Sequence, residues 1–274
     1  MDATPAFHPA LDYVLHRMQE VQGFMSPLDA GMFMALDLAQ KGAGIEGDLG
    51  EIGVFHGRVT FLLANLARAD ERVHAIDIFD MYFPNPPYNL PDDFIGNALR
   101  LKMEMALFHL VKADTTKEAD RVVSEIGQGK TRLFHVDGDH RLVHILADSK
   151  IALEATQKDG VIVFDDVFSY LMPEVTEGVM RSLAGRADFV PLALSPNKAY
   201  FCPPHLKSRY AAYLIECLPN NLDREVRRLL DHWVLTFSAE KPVIMRHLDL
   251  VQGGDEAALH RSILAQQKDF PLPP

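Results

Sequence analysis

Between residues 45 and 203 short apolar runs alternate with longer amphipathic stretches, and that rhythm constrains the fold more than any other feature of the chain. The runs are "GDLGEIGV" (47–54), "RVHAIDIF" (72–79), "FHLVKAD" (108–114), "TRLFHVD" (131–137) and "GVIVFDD" (160–166). Helical patterns fill the gaps, over 57–69, 94–107, 115–126 and 142–156, with another over 173–183. Strands that are apolar along their whole length and separated by helices predict an α/β fold, a parallel sheet with helices on both faces. "ADFVPLALS" (187–195) and "KAYFCP" (198–203) are separated only by Pro196 and Asn197. So short a link makes a hairpin, and it predicts a last strand running antiparallel at the sheet's edge.

Two helical patterns lead in, over 9–21 and 27–40, the second opened by Ser26 as N-cap with Pro27 in the first turn. The tail reads as helical too, over 207–218 and again over 224–233. The chain therefore divides into a helical lead-in (1–44), an α/β domain (45–203) and a C-terminal helical extension packed on that domain (204–274). A Pro-rich loop, "MYFPNPPYNLPDDF" (81–94), follows the second strand and offers Tyr82, Phe83 and Tyr88 for stacking on a substrate.

Composition closes several routes. With 27 basic and 38 acidic residues the formal charge is -11, which disfavours nucleic acid and anionic membrane surfaces as partners. The densest basic run, 224–228, is broken by Glu225 and Val226. Two cysteines cannot build a disulfide framework, and no apolar run approaches the roughly 18 residues of a membrane span. These features describe a soluble protein of the reducing cytoplasm.

In an open parallel sheet ligands bind beyond the carboxyl ends of the strands. Each of the five runs closes in acid: Glu51, then Asp77 and Asp80, then Asp114, then Asp137 and Asp139, then Asp165 and Asp166. One such aspartate is a helix cap; five along one edge form a site. In the first turn, Gly53 and Gly57 let the backbone bend tightly toward a ligand at a helix N-terminus. Asp77 can accept hydrogen bonds from both hydroxyls of a ribose, and Asp114 stands within reach of an adenine amino group. "GAGIEG" (42–47) fits the dinucleotide pattern letter for letter but precedes its strand instead of following it, so it cannot cradle phosphate.

"EIGVFHGRVT", "VHAIDIFD", "VDGDH" and "GVIVFDDV" together resemble the class I S-adenosylmethionine-dependent methyltransferases, in the branch of the macrocin O-methyltransferase-like enzymes, over about residues 46–203. The resemblance implies a Rossmann-like sheet of seven strands, mostly parallel with the last antiparallel. It implies that Glu51 and Gly53, with Gly57, hold the methionine end of S-adenosyl-L-methionine, Asp77 the ribose and Asp114 the adenine. Related enzymes place metal ligands at the positions of Asp137, Asp165 and Asp166, whose oxygens suit Mg²⁺ or Mn²⁺. His140 stands three residues after Asp137, where catechol-type relatives carry a basic residue, and it becomes the candidate proton acceptor, with Asp137 beside it. Asp139 is left as a cap or supporting group, and His144 as structural.

The implied function is O-methyl transfer to the hydroxyl of a small molecule, a sugar or a phenol; a homo-oligomer is compatible with it. Other readings are a non-catalytic cofactor-binding module and a metal-dependent hydrolase, for which His135, Asp137, Asp139 and His140 echo a zinc motif. An NAD-dependent oxidoreductase would need a Tyr-x-x-x-Lys pair and a placed glycine fingerprint, and has neither.

Overall fold

The computed structural model describes residues 8–80, 90–218 and 222–238. Five strands run in parallel, β1 (Asp48–Ile52), β2 (Val73–Asp77), β3 (Phe108–Lys112), β4 (Thr131–Val136) and β5 (Thr156–Asp165). Their order, β3-β2-β1-β4-β5, puts β1 in the middle, with Ile52 opposite both Ile76 and Val136. Apolar residues on both faces of each strand leave no side for water, so helices cover both. On one face lie α2 (Pro27–Lys41), α3 (Arg58–Leu66) and α8 (Lys207–Cys217), sealing Phe33, Phe61, Tyr200, Tyr210 and Tyr213 against the sheet. On the other lie α5 (Thr115–Ile126), α6 (Leu142–Ala155) and α7 (Pro173–Leu183), over Phe134, Phe164 and Phe201.

Strands β6 (Val190–Leu194) and β7 (Lys198–Cys202) form the expected hairpin, and β7 is antiparallel to β5. It is not the edge. β7 inserts between β5 and β6, so its backbone is paired on both sides while the helices on the two faces bury Tyr200 and Phe201. The expected helix over 224–233 is absent. In its place β8 (Asp223–Leu229) and β9 (His232–Ser238) make a second hairpin whose β9 pairs in parallel with β6, Ala193 opposite Leu235. The described residues thus build a sheet of nine strands, not seven. The expected helix over 224–233 is interrupted where Leu230 and Asp231 both adopt positive φ (48° and 63°), which makes a two-residue hairpin turn.

Two other helices differ from their patterns. The expected helix over 9–21 is α-helical only in α1 (Pro9–Asp12) and continues as a π turn and a 3₁₀ turn, while Tyr13 is drawn into the core with its hydroxyl on the Arg58 carbonyl, 2.8 Å away. α4 (Leu90–Arg100) starts earlier than expected and stops at Lys102 (φ 58°), where the Met103 amide closes back on the Ala98 carbonyl at 2.9 Å. The aromatic residues Tyr82, Phe83 and Tyr88 lie outside the described residues. Ser26 caps α2 as read from the sequence, accepting from the Asp29 amide at 3.0 Å, and Asp29 in turn accepts from Tyr200 of β7 at 2.8 Å. Among the described residues no helix is long and apolar enough to cross a membrane.

Candidate active site

Parallel register brings the carboxyl ends of β3, β2, β1, β4 and β5 to one edge, and the loops beyond them enclose a cavity of about 900 Å³. Glu51, Gly53, Asp77, Asp114, Asp137, Asp139 and His140 all border it. Residues 22–24 and 171–174 complete its rim, with Phe24 (84% exposed) and Leu171 (69%) at the mouth. The rim residues 22–24 belong to the segment joining α1 to α2, so the lead-in forms part of the site.

The turn after β1 is set by sterics. Gly53 has φ 85°, its amide bonds the Ile76 carbonyl at 3.0 Å, and a Cβ there would overlap the Asp137 carbonyl. Asp77 knits this turn to β2: one oxygen accepts from the amides of Val54 (2.8 Å) and Phe55 (3.3 Å), the other from Phe79 (2.9 Å). Asp114 caps α5, accepting from the amide and hydroxyl of Thr116 at 3.2 and 2.5 Å, and the adjacent Lys117 helps hold its carboxyl down at about 2. Both carboxylates therefore do structural work while facing the cavity. Gly57 (φ 94°) caps α3 outside the lining, where a Cβ would strike the Phe61 and Phe94 rings.

Glu51 sits under the floor of the cavity. Thr60 donates to one of its oxygens, and the His135 ring nitrogen Nδ1 lies 3.0 Å from the other. Burial pushes its carboxyl up to about 8. The far side of the His135 ring, Nε2, is 3.1 Å from the ammonium of Lys198, which orients the ring so that Nδ1 carries the proton toward Glu51. Burial holds His135 well below its usual range, so the ring is neutral.

Lys198 opens β7 and is 2% exposed; its Nζ lies 2.5 Å from Asp165 Oδ2. The other Asp165 oxygen accepts from Asn197 at 2.5 Å and from the Asp166 amide at 2.9 Å. Asp165 is thus fully engaged, and the three aspartates do not converge on one point. The geometry forms two overlapping groups instead: Asp137 with Asp165 and His135 below, and Asp137 with Asp166 and His140 above. Desolvation of its inner face and the neighbouring Asp165 carboxylate push Asp137 well above the usual carboxylate range, while its outer face, 27% exposed, meets the cavity. His140 Nε2 is 3.1 Å from Asp166 Oδ2 and 4.0 Å from Asp137 Oδ1; the bond to Asp166 raises the imidazole and lowers the carboxyl. Asp166 takes φ 54°, unusual for a side chain other than glycine, which turns its carboxylate toward His140.

Asp139 is held by Arg141, through its amide and guanidinium at 2.7 to 2.9 Å, and that contact lowers its carboxyl to about 2. His144 meets Arg141 at 2.9 Å and borders the cavity. Sequence reasoning missed Lys198, Asn197, His135 as a floor residue, and Asp148 of α6. The one available signal was a lysine opening a wholly apolar strand, since a charge there must find a buried partner.

Residues 51–167 match the model of a family described as methyltransferase domain. Over those residues the chain carries a methyltransferase domain. No curated protein matches it. Among solved structures it is similar to the O-methyltransferase NovP, with 15% identity, 64% of this chain and 78% of that chain covered and a TM-score of 0.50. It is also similar to the O-methyltransferase TomG from Streptomyces achromogenes in complex with SAM (18% identity, 71% and 89% covered, TM-score 0.49). A third is the apo structure of CalS11, a TDP-rhamnose 3'-O-methyltransferase (19%, 69% and 80%, TM-score 0.48). The NovP likeness shows the class I methyltransferase fold.

Proposed function

We propose that this methyltransferase moves the methyl group of S-adenosyl-L-methionine to a hydroxyl of a small molecule, a sugar or a phenol, with a divalent cation orienting the acceptor. The observation that carries this is the meeting of Asp137, Asp166 and His140 at the end of a cavity large enough for the cofactor. We place the chain in the macrocin O-methyltransferase-like branch on its four motifs. In this reading residues 45–203 carry the chemistry, flanked by 1–44 and 204–274. The net charge of -11 supports a small acceptor over a polyanionic partner, and two free buried cysteines support a reducing compartment such as the cytoplasm.

The donor set fits a hard cation such as Mg²⁺ or Mn²⁺ through the oxygens of Asp137 and Asp166; Asp165 joins them only by exchanging Lys198 for the ion. Bound there, the cation acts as a Lewis acid on the acceptor hydroxyl. The chain's own residues do the rest. Gly53 brings the backbone close to the methionine end above Glu51, while Asp77 and Asp114 border the ribose and adenine. As the new O–C bond forms, the C–S pair goes to sulfur and the hydroxyl proton goes to the free nitrogen of the His140 imidazole, the other being held by Asp166. Phe24 and Leu171 present an apolar face to the acceptor ring at the cavity mouth.

The test is methyl transfer from labelled cofactor to a panel of sugars and phenols, with and without chelator, beside calorimetry with S-adenosylhomocysteine. Micromolar binding and turnover that EDTA abolishes are expected. Replacement of His140 with Gln is expected to lower turnover about 10²-fold while leaving S-adenosylhomocysteine affinity unchanged. Full activity in EDTA overturns the cation, and tight cofactor binding without transfer to any acceptor returns the chain to a binding module.

A further inference from the structure

Both aspartates that the sequence assigns to the nucleoside are engaged by their own loops: Asp77 by three backbone amides, Asp114 by Thr116 and Lys117. A third carboxylate in the cavity keeps one oxygen without a partner. Asp148, on the inner face of α6, is 1% exposed and borders the cavity, and its Oδ1 finds no hydrogen-bond partner among the described residues. A buried acceptor without a donor is costly, and natural structures keep one where a ligand supplies the missing bond.

The surroundings say which part of a ligand that is. Thr115, shortly beyond the β3 end, hydrogen-bonds the Asp148 carboxyl on one side, and Gly138, just beyond β4, lies over it on the other. Any side chain at position 138 would run into Asp148 Oδ2, so the missing Cβ leaves the carboxyl reachable. The methyl-transfer end of the cavity is fixed by Asp137 and His140, next to β5. A cofactor with its sulfonium there has its purine toward β3, the outermost of these strand ends, and Asp148 stands between the two, held to Thr115 on the β3 side and covered by Gly138 on the β4 side.

We propose that Asp148 is the residue that recognises the adenine base, its Oδ1 accepting a hydrogen bond from the 6-amino group. Burial pushes this carboxyl up to about 7, against the Thr115 hydrogen bond that lowers it. Asp114 then serves as the cap of α5 and as wall. The assignment rests on the S-adenosylmethionine reading of the cavity and names one contact within it.

Calorimetry on the full chain tests it, with two probes: S-adenosylhomocysteine and its analogue whose purine lacks the 6-amino group. Wild type is expected to prefer the amino form by about 10- to 100-fold, the range for a hydrogen bond to a buried carboxylate. Asp148→Ala should bind both probes alike, at the affinity wild type shows for the deamino form. Asp148→Asn keeps a carbonyl acceptor in the same place, carries the test if the alanine variant does not fold, and should retain most of the preference. A preference that survives in Asp148→Ala, or is absent in wild type although S-adenosylhomocysteine binds, overturns the assignment and leaves the cofactor reading intact. Failure of wild type to bind S-adenosylhomocysteine at all overturns both.

Discussion

Gly53 has no room for a side chain, and its conformation forbids one as well. The Asp137 carbonyl fills the place of its Cβ, and that atom is backbone and cannot rotate away. Gly53→Ala is therefore expected to cost about 3 kcal/mol or more and to abolish binding of S-adenosylhomocysteine, read by thermal melting and calorimetry. At the opposite pole of the sheet a second residue depends on buried charge. Arg132 of β4 is fully buried, with its guanidinium on Glu71 at 2.7 and 2.8 Å, on Asp37 at 2.9 Å and on Gln40 at 2.7 Å. Hydrogen bonds from Arg132 hold the Glu71 carboxyl below its ordinary 4.5, against the desolvation that would raise it. A lowered carboxyl stabilises the fold above its unfolded value and loses that contribution as pH falls through its folded value. Glu71→Gln is thus expected to cost about 3 kcal/mol at neutral pH, with the difference from wild type shrinking below pH 4.5 in an acid denaturation series.

At the scale of elements, the second hairpin is the least secure part of the described sheet. β9 joins β6 through only two residue pairs, and β8 is mostly exposed. Its turn places Leu230 and Asp231 in the left-handed region without a glycine. Replacing the pair by Asn-Gly matches the turn and is expected to add about 1 kcal/mol, a rise of roughly 2 °C in Tm. An unchanged or lower Tm would mean that the turn is held by something other than its own backbone. β5 and β7 form the more consequential pair. The antiparallel register sets Lys198 opposite Asp165, and this one pairing supplies the floor of the acid cluster with its buried cation.

For the whole molecule, the lead-in and the tail meet on one face. α2 packs on α8, and Tyr210, Tyr213 and Leu214 are fully buried there. Each such side chain contributes roughly 1.5 to 3 kcal/mol, against a total stability of about 5 to 15 kcal/mol for a typical domain. A chain ending at Pro203 loses all three and bares the β6 edge, so it is expected to be insoluble or unfolded by circular dichroism, although its methyltransferase segment is complete. A soluble, cooperatively melting truncation would show that the tail is an accessory.

Much of this was legible in the sequence because it depends on local pattern. The apolar strands, Ser26 as cap, the helices at 115–126 and 173–183 and the row of strand-end acids follow from periodicity and capping chemistry, which act over a few residues. The second hairpin was not legible, because "EVRRLLDHWV" suits a helix by composition and becomes a strand pair only where β6 offers an open edge. Nor did the sequence show how each acid is engaged. Asp114 and Asp165 look alike as letters, yet one caps a helix beside Lys117 and the other is bound to Lys198, 33 residues further along the chain. Asp148 looks like any polar residue of an amphipathic helix until folding buries it against Gly138 and Thr115. The strands and their acid ends were thus determined by the sequence alone. Which acids hold the backbone, which meet a buried cation and which are left for a ligand was decided by the tertiary structure, because hydrogen bonds and charges are satisfied by neighbours in space.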